Sequence, residues 1–90
     1  MRVIELSRQA AKFLSNLQTK QAKQLAGKLA ELKENPELHD SSMLRGYPYR
    51  RADAGEFRII YGFDDLTVSI HLIGKRNDSE VYRLLSRSGL

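Results

Sequence analysis

Two apolar runs, GEFRIIYGF at 55–63 and LTVSIHLIG at 66–74, flank the pair Asp64-Asp65, and this arrangement constrains the chain more than any other feature. In an extended chain, successive side chains point to opposite faces. Phe57, Ile59, Tyr61 and Phe63 then share one face of the first run, with Arg58 and Ile60 on the other. In the second run Leu66, Val68, Ile70 and Leu72 share a face, opposite Thr67, Ser69, His71 and Ile73. Aspartate is a turn former, because its side chain bonds nearby backbone amides. Two alternating runs joined by such a pair predict an antiparallel hairpin. The stretch YPYRRAD before Gly55 adds a further strand at an edge.

The N-terminal half reads differently. Residues 2–6, RVIEL, are β-branched at the centre and predict a first strand. Ser7 is suited to cap a helix, since its hydroxyl can accept from a free amide of the first turn. Ala10, Phe13, Leu14 and Leu17 follow at helical spacing. Thr19 can cap a second helix whose apolar face is Ala22, Leu25, Ala26, Leu29 and Leu32. Asn35-Pro36 ends it, because a residue before proline disfavours the α region. Residues 8–34 therefore form a helical hairpin, residues 35–45 are turn-like, and DSEVYRLLSRS at 78–88 forms a short C-terminal helix or tail. The predicted class is α+β: one domain over residues 1–90, with a strand, a helical pair and an antiparallel three-strand meander. The pair covers one face of the sheet and leaves the other partly open.

Composition limits the chemistry. The chain has no cysteine, which removes disulfides, thiolate nucleophiles and cysteine-based zinc sites. His39 and His71 lack metal-ligand spacing, so neither a metal nor a cofactor is expected. The serines have no evident base, and the glycines form no phosphate-cradling loop. The N-terminus has no continuous apolar stretch of the signal-peptide kind. No apolar run approaches the ~20 residues that span a bilayer, so no membrane partner is expected and the cytoplasm is the expected location. Fifteen Lys and Arg against 11 Asp and Glu give a net charge of +4, and the pI is near 9.6. A pI above ~9 suits a nucleic acid or an acidic protein as partner.

The basic residues of the sheet half are Arg45, Arg50, Arg51, Arg58, Lys75, Arg76 and Arg83. Arg58 interrupts an apolar strand. If the next strand leaves the sheet at Gly74, Arg76 can swing over the same open face, with Tyr82 beside them. Such a set suits a phosphodiester, because guanidinium forks grip two phosphate oxygens and stay charged. Tyrosine can stack on a base or bond a 2′-hydroxyl, as in recognition of single-stranded RNA.

The stretch LRGYPYRRADAGEFRIIYGFDDLTVSIHLIGKRNDSEVYR resembles the RelE/ParE superfamily of bacterial toxins. The signs are LRG, then YR, then a Gly-x-aromatic-Arg-x-x-Tyr strand, an acidic turn, GKR and EVY. The resemblance implies a toxin of a type II toxin–antitoxin module. In its RelE-like branch it implies a ribosome-dependent endoribonuclease that cuts mRNA in the A site by 2′-OH attack. Arg58 would then contact the scissile phosphate, Arg76 would stabilise the transition state or assist the leaving group, and Tyr82 would orient the mRNA. RelE-type strands usually carry basic residues at alternating positions before the glycine. Here Arg50 can occupy one of them, and arginine does not deprotonate in practice, so no general base is named. Arg45, Arg51, Lys75 and Arg83 are expected on RNA backbone. The implied partners are the ribosome, mRNA and an acidic antitoxin held in a hetero-oligomer. Two alternatives stay open: a ParE-like DNA gyrase inhibitor, and an inactive member that only binds its antitoxin.

Overall fold

In the computed structural model, residues 2–38, 41–76 and 80–88 are described. His39-Asp40 and the Asn77–Ser79 link fall outside them. The described elements run β1 (Val3–Leu6), α1 (Arg8–Ser15), α2 (Thr19–Glu34), β2 (Ser42–Met43), β3 (Arg50–Ala54), β4 (Phe57–Phe63), β5 (Thr67–Lys75) and α3 (Glu80–Ser88). One five-stranded sheet has the order β1-β5-β4-β3-β2. The α+β class and the meander are as expected.

Local chemistry explains the element ends. The Ser7 hydroxyl accepts from Ala10 N at 3.1 Å and donates to the His71 carbonyl at 2.6 Å. One residue therefore caps α1 and ties it to β5. Just beyond, the Gln9 amide exchanges both its bonds with the backbone of Ile73, at 2.8 and 2.9 Å. It continues the ladder where β1 stops and covers the exposed edge of β5. Thr19 is not the cap of α2. That position falls to Gln18, which makes no side-chain capping bond, and Thr19 is the first helical residue. The β4–β5 connection is one residue longer than the aspartate pair. Asp64 accepts from both Leu66 N and Thr67 N at 2.8 Å, so Leu66 belongs to the turn and stands 75% exposed.

The sheet buries both faces, unequally. Leu25, Leu29 and Leu32 of α2, with Ala10 of α1, pack on Ala52, Ala54, Phe57, Ile59, Tyr61, Val68, Ile70 and Ile73. Phe13 meets the Phe57 ring edge-on at 5.6 Å. On the opposite face α3 and the 44–49 loop form a smaller cluster of Leu44, Ile60, Leu72, Val81 and Leu85. That face is thus partly covered by a second core. The end of that face near Arg58 is polar.

Two further expectations are corrected, and one pairing is new. The strand containing Arg50 and Arg51 is not at the edge, because the two-residue β2 pairs with it outside. β1 pairs with β5 in parallel. The period of β5 also breaks: Ile60 faces Leu72 while Tyr61 faces Ile70, so His71 is an extra residue, a β-bulge. A bulge moves every later side chain to the other face. Leu72 therefore joins the smaller cluster and Ile73 the larger one, the reverse of strict alternation.

Tyr61 is fully buried, and its hydroxyl donates to the Pro36 carbonyl. That bond fastens the chain after α2 to the sheet. Tyr61→Phe should keep the fold and cost about 1–3 kcal/mol, because it strands a buried carbonyl. Urea denaturation of the two proteins measures it directly.

Candidate functional site

The β3–β4 hairpin sets the site. Its turn is Gly55-Glu56, with Gly55 at φ +59°, a left-handed conformation that glycine adopts without Cβ strain. From this turn the register follows: Ala54 faces Phe57, Asp53 faces Arg58, and Arg51 faces Ile60. Arg51, Asp53 and Arg58 therefore share the face that α3 crosses, while Ala52 and Ala54 enter the larger core.

α3 brings Tyr82 onto this group. Its hydroxyl oxygen accepts from Arg58 Nη1 at 2.9 Å and from Arg51 Nη1 at 3.1 Å. The Arg58 guanidinium also lies 5.7 Å from the centre of the Tyr82 ring, within cation–π range. The other edge of Arg58 is held by Asp53: Nε donates to Oδ1 at 2.8 Å and Nη2 to Oδ2 at 3.2 Å. Arg51 Nε donates to Ser42 Oγ at 3.1 Å, which gives the short β2 strand a part in the site. Arg76 approaches from the end of β5. Its Nη1 donates to Gly55 O at 3.2 Å and stands 3.9 Å from Asp53 Oδ2. Three guanidiniums and one carboxylate thus surround the Tyr82 hydroxyl end of the face.

The electrostatics follow from these contacts. The bonds from Arg58 hold the Asp53 carboxyl below the usual carboxylate range; burial opposes them, and the charges of Arg58, Arg76 and Arg51 add to the lowering. Asp53 in turn holds the Arg58 proton more firmly than usual. Beside the arginines lies a groove of about 270 Å³ lined by Met43, Leu44, Arg45, Tyr47, Arg51 and Tyr82. Ligand sites are commonly ~300–1,000 Å³, so the groove suits a single flat group better than a large ligand.

The expected site residues divide. Arg58, Arg76, Tyr82 and Arg51 come together, and Arg45 lines the groove. Arg50 does not join them. It faces Tyr61, on the helical side of the sheet, and its Nη2 donates to Ser41 Oγ at 2.9 Å. Its buried Nε has no partner among the described residues. A strand shows alternate residues to one face, so Arg50 and Arg51 cannot both reach Arg58, and the register chooses Arg51. Lys75 is exposed and pairs with Phe57, also on the helical side. Arg83 is exposed on α3. Asp53 was missed, although counting back from the Gly55-Glu56 turn puts it opposite Arg58. Among the described residues no group of His, Cys, Asp and Glu could hold a metal ion, and no helix is long and apolar enough to cross a membrane.

One histidine and two carboxylate shifts predict how stability depends on pH. His71 packs against the Tyr49 ring at 4.3 Å, and burial lowers its pKa below the ordinary 6.5. Asp53 and Asp64 lie below the ordinary 3.8, Asp64 through the Leu66 and Thr67 amides. All three bind protons more readily unfolded, so each contributes stability that is complete above its unfolded pKa and lost as pH falls through its folded one. The melting temperature should start to fall below about pH 6.5 and fall again below about pH 3.8. His71→Gln should flatten the first step only, in a thermal scan across pH.

A family model, the ParE toxin of type II toxin–antitoxin systems, matches residues 4–80. The chain belongs to this family of toxins. Within the wider RelE/ParE superfamily its structural likeness is to RelE. The isolated RelE toxin of E. coli is 26% identical over 100% of both chains, with a TM-score of 0.74. RelE in the E. coli RelBE toxin–antitoxin complex is 24% identical, covering 86% of this chain and 99% of the other, with a TM-score of 0.73. The archaeal RelE–RelB complex of Pyrococcus horikoshii OT3 gives 25% identity, 86% and 96% coverage, and a TM-score of 0.70. No curated protein matches the chain. This toxin is therefore RelE-like in fold, with its GKR and EVY elements at the end of β5 and the start of α3.

Proposed function

We propose that this toxin is a metal-independent endoribonuclease that cuts ribosome-bound mRNA in the A site. The observation that carries the reading is the Tyr82 hydroxyl held between Arg51 and Arg58. It puts an aromatic ring and two guanidiniums on one small polar area, the combination that suits a phosphodiester next to an unstacked base. In the reaction the RNA 2′-oxygen attacks phosphorus and loses its proton, and the 5′-oxygen leaves and gains one. A 2′,3′-cyclic phosphate and a 5′-hydroxyl result. Arg58 and Arg76 stabilise the negative charge that builds on the phosphorane oxygens. Arg51 adds to that field and, with Arg58, sets the Tyr82 hydroxyl, whose ring orients the RNA. Asp53 is a poor base because two guanidiniums hold it ionised. The contribution of the protein is thus positioning and charge stabilisation. Arg45 and Arg83 bind RNA backbone from the rim.

In this reading the toxin is cytoplasmic and is held by an acidic antitoxin. The +4 charge favours such a partner electrostatically. The RelE–RelB complexes among its structural relatives support the same pairing.

A second reading, inhibition of DNA gyrase, is favoured by the match to the ParE family model. The two separate in one experiment. The purified toxin is added to a translating extract and mRNA 5′ ends are mapped, with a gyrase supercoiling assay run beside it. Cuts within codons, absent for Arg76→Ala, are the expected result. Intact mRNA with inhibited gyrase would move the protein to the second reading. If neither target is touched, antitoxin binding is the remaining role.

A further inference from the structure

We propose that Asp53 is an internal anion that occupies the phosphate-gripping edge of Arg58 in the free toxin, and that an RNA phosphate enters the site by displacing it. The inference deepens the phosphodiester reading above and rests on it. Arginine grips a phosphate through two parallel N–H groups. In Arg58 the Nε and Nη2 pair is already engaged by both oxygens of Asp53, while Nη1 holds Tyr82. Asp53 Oδ2 also stands 3.9 Å from Arg76. One carboxylate thus sits where a phosphate would meet both cations.

Several observations fit displacement better than a fixed structural pair. The Asp53 side chain is 35% exposed, against 15% for Arg58, so the carboxylate lies on the solvent side of the cation. It can rotate out without opening the core, because its strand neighbours Ala52 and Ala54 make the buried contacts. A carboxylate and a phosphodiester each carry one negative charge, so the exchange leaves the charge balance of the site unchanged. Without an internal anion, three guanidiniums would repel one another whenever RNA is absent. The carboxyl stays ionised through the neutral range, so it occupies the site wherever the toxin works.

The test is binding, read apart from cleavage. Wild type, Asp53→Asn, Asp53→Ala and a charge-matched control, Asp65→Asn, are titrated with inorganic phosphate while the Arg58 Nε–H resonance is followed. The same proteins are titrated with an uncleavable 2′-O-methyl oligonucleotide at several salt concentrations. Both Asp53 variants should bind about threefold to tenfold more tightly than wild type and the control. Their salt dependence should steepen by about 0.7 per cation freed. Equal or weaker affinity in both variants, or no phosphate-induced shift at Arg58 in any protein, overturns the inference. A gain shared by Asp65→Asn also overturns it, since net charge alone would explain the effect. Cleavage by wild type with unchanged Asp53 variants sinks this inference and spares the nuclease reading. Tighter anion binding without cleavage does the opposite.

Discussion

Arg58→Ala should lower mRNA cleavage by about 10²–10³-fold, the usual cost of removing one preorganised donor from a transition-state site. Arg58 is the residue on which the site converges. Its three nitrogens bond Asp53 and Tyr82, and its side chain is the least exposed of the ion-paired group. Removing it leaves Asp53 with the more distant Arg76 as ion-pair partner and releases one of the two anchors of the Tyr82 hydroxyl. The Arg58 side chain is mostly covered and bonds a carboxylate, so folding stability should fall by about 1–3 kcal/mol. Single-turnover cleavage on programmed ribosomes measures the rate, and a thermal melt checks the fold. Arg58→Lys should not rescue, because an ammonium cannot serve Asp53 and Tyr82 from fixed directions at once. Full activity in the alanine variant would remove Arg58 from the chemistry.

Tyr82→Phe should lower the cleavage rate by about tenfold to a hundredfold with little change in KM. The ring stays, and with it the packing beside the smaller core and any stacking on RNA. What goes is the oxygen that accepts from Arg51 and Arg58 together. Two cations then lose a shared acceptor and separate. Tyr82→Ala should fall further and raise KM as well, because the stacking surface is lost. A phenylalanine variant within twofold of wild type would assign the role to the ring alone.

Much of this architecture was legible in the sequence because period and punctuation agree there. The Ser7 cap, the Asn35-Pro36 stop and the alternating run at 57–63 each have a local cause, and local causes can be read locally. Arg58 and Tyr82 were legible through the family likeness, and Arg58 also as a cation in an apolar strand. What escaped depended on pairing. The bulge at His71 has no sequence signature, since HLIG continues an unbroken alternation, and the break is visible only against β4. The choice of Arg51 over Arg50 is a question of register, settled by the Gly55-Glu56 turn. β2 escaped because two residues are too few to set a period. Asp53 escaped because an acidic residue in a basic site draws no notice until its partner across the strand is known.

The parallel pairing of β1 with β5 also sets a timetable. Val3 has its ladder partner at Thr67 and Leu6 at Ile70, so during synthesis the first strand waits for more than half the chain to appear. Pairings so distant in sequence form late, because the intervening loop must close first. Until β5 emerges, α1 and α2 have no finished sheet on which to bury their leucines. The Arg51–Tyr82–Arg58 contact comes later still, since α3 follows β5. The nascent toxin therefore displays sticky helices well before it owns a complete site. An antitoxin would have that interval in which to meet the helices before the Arg51–Tyr82–Arg58 contact is assembled.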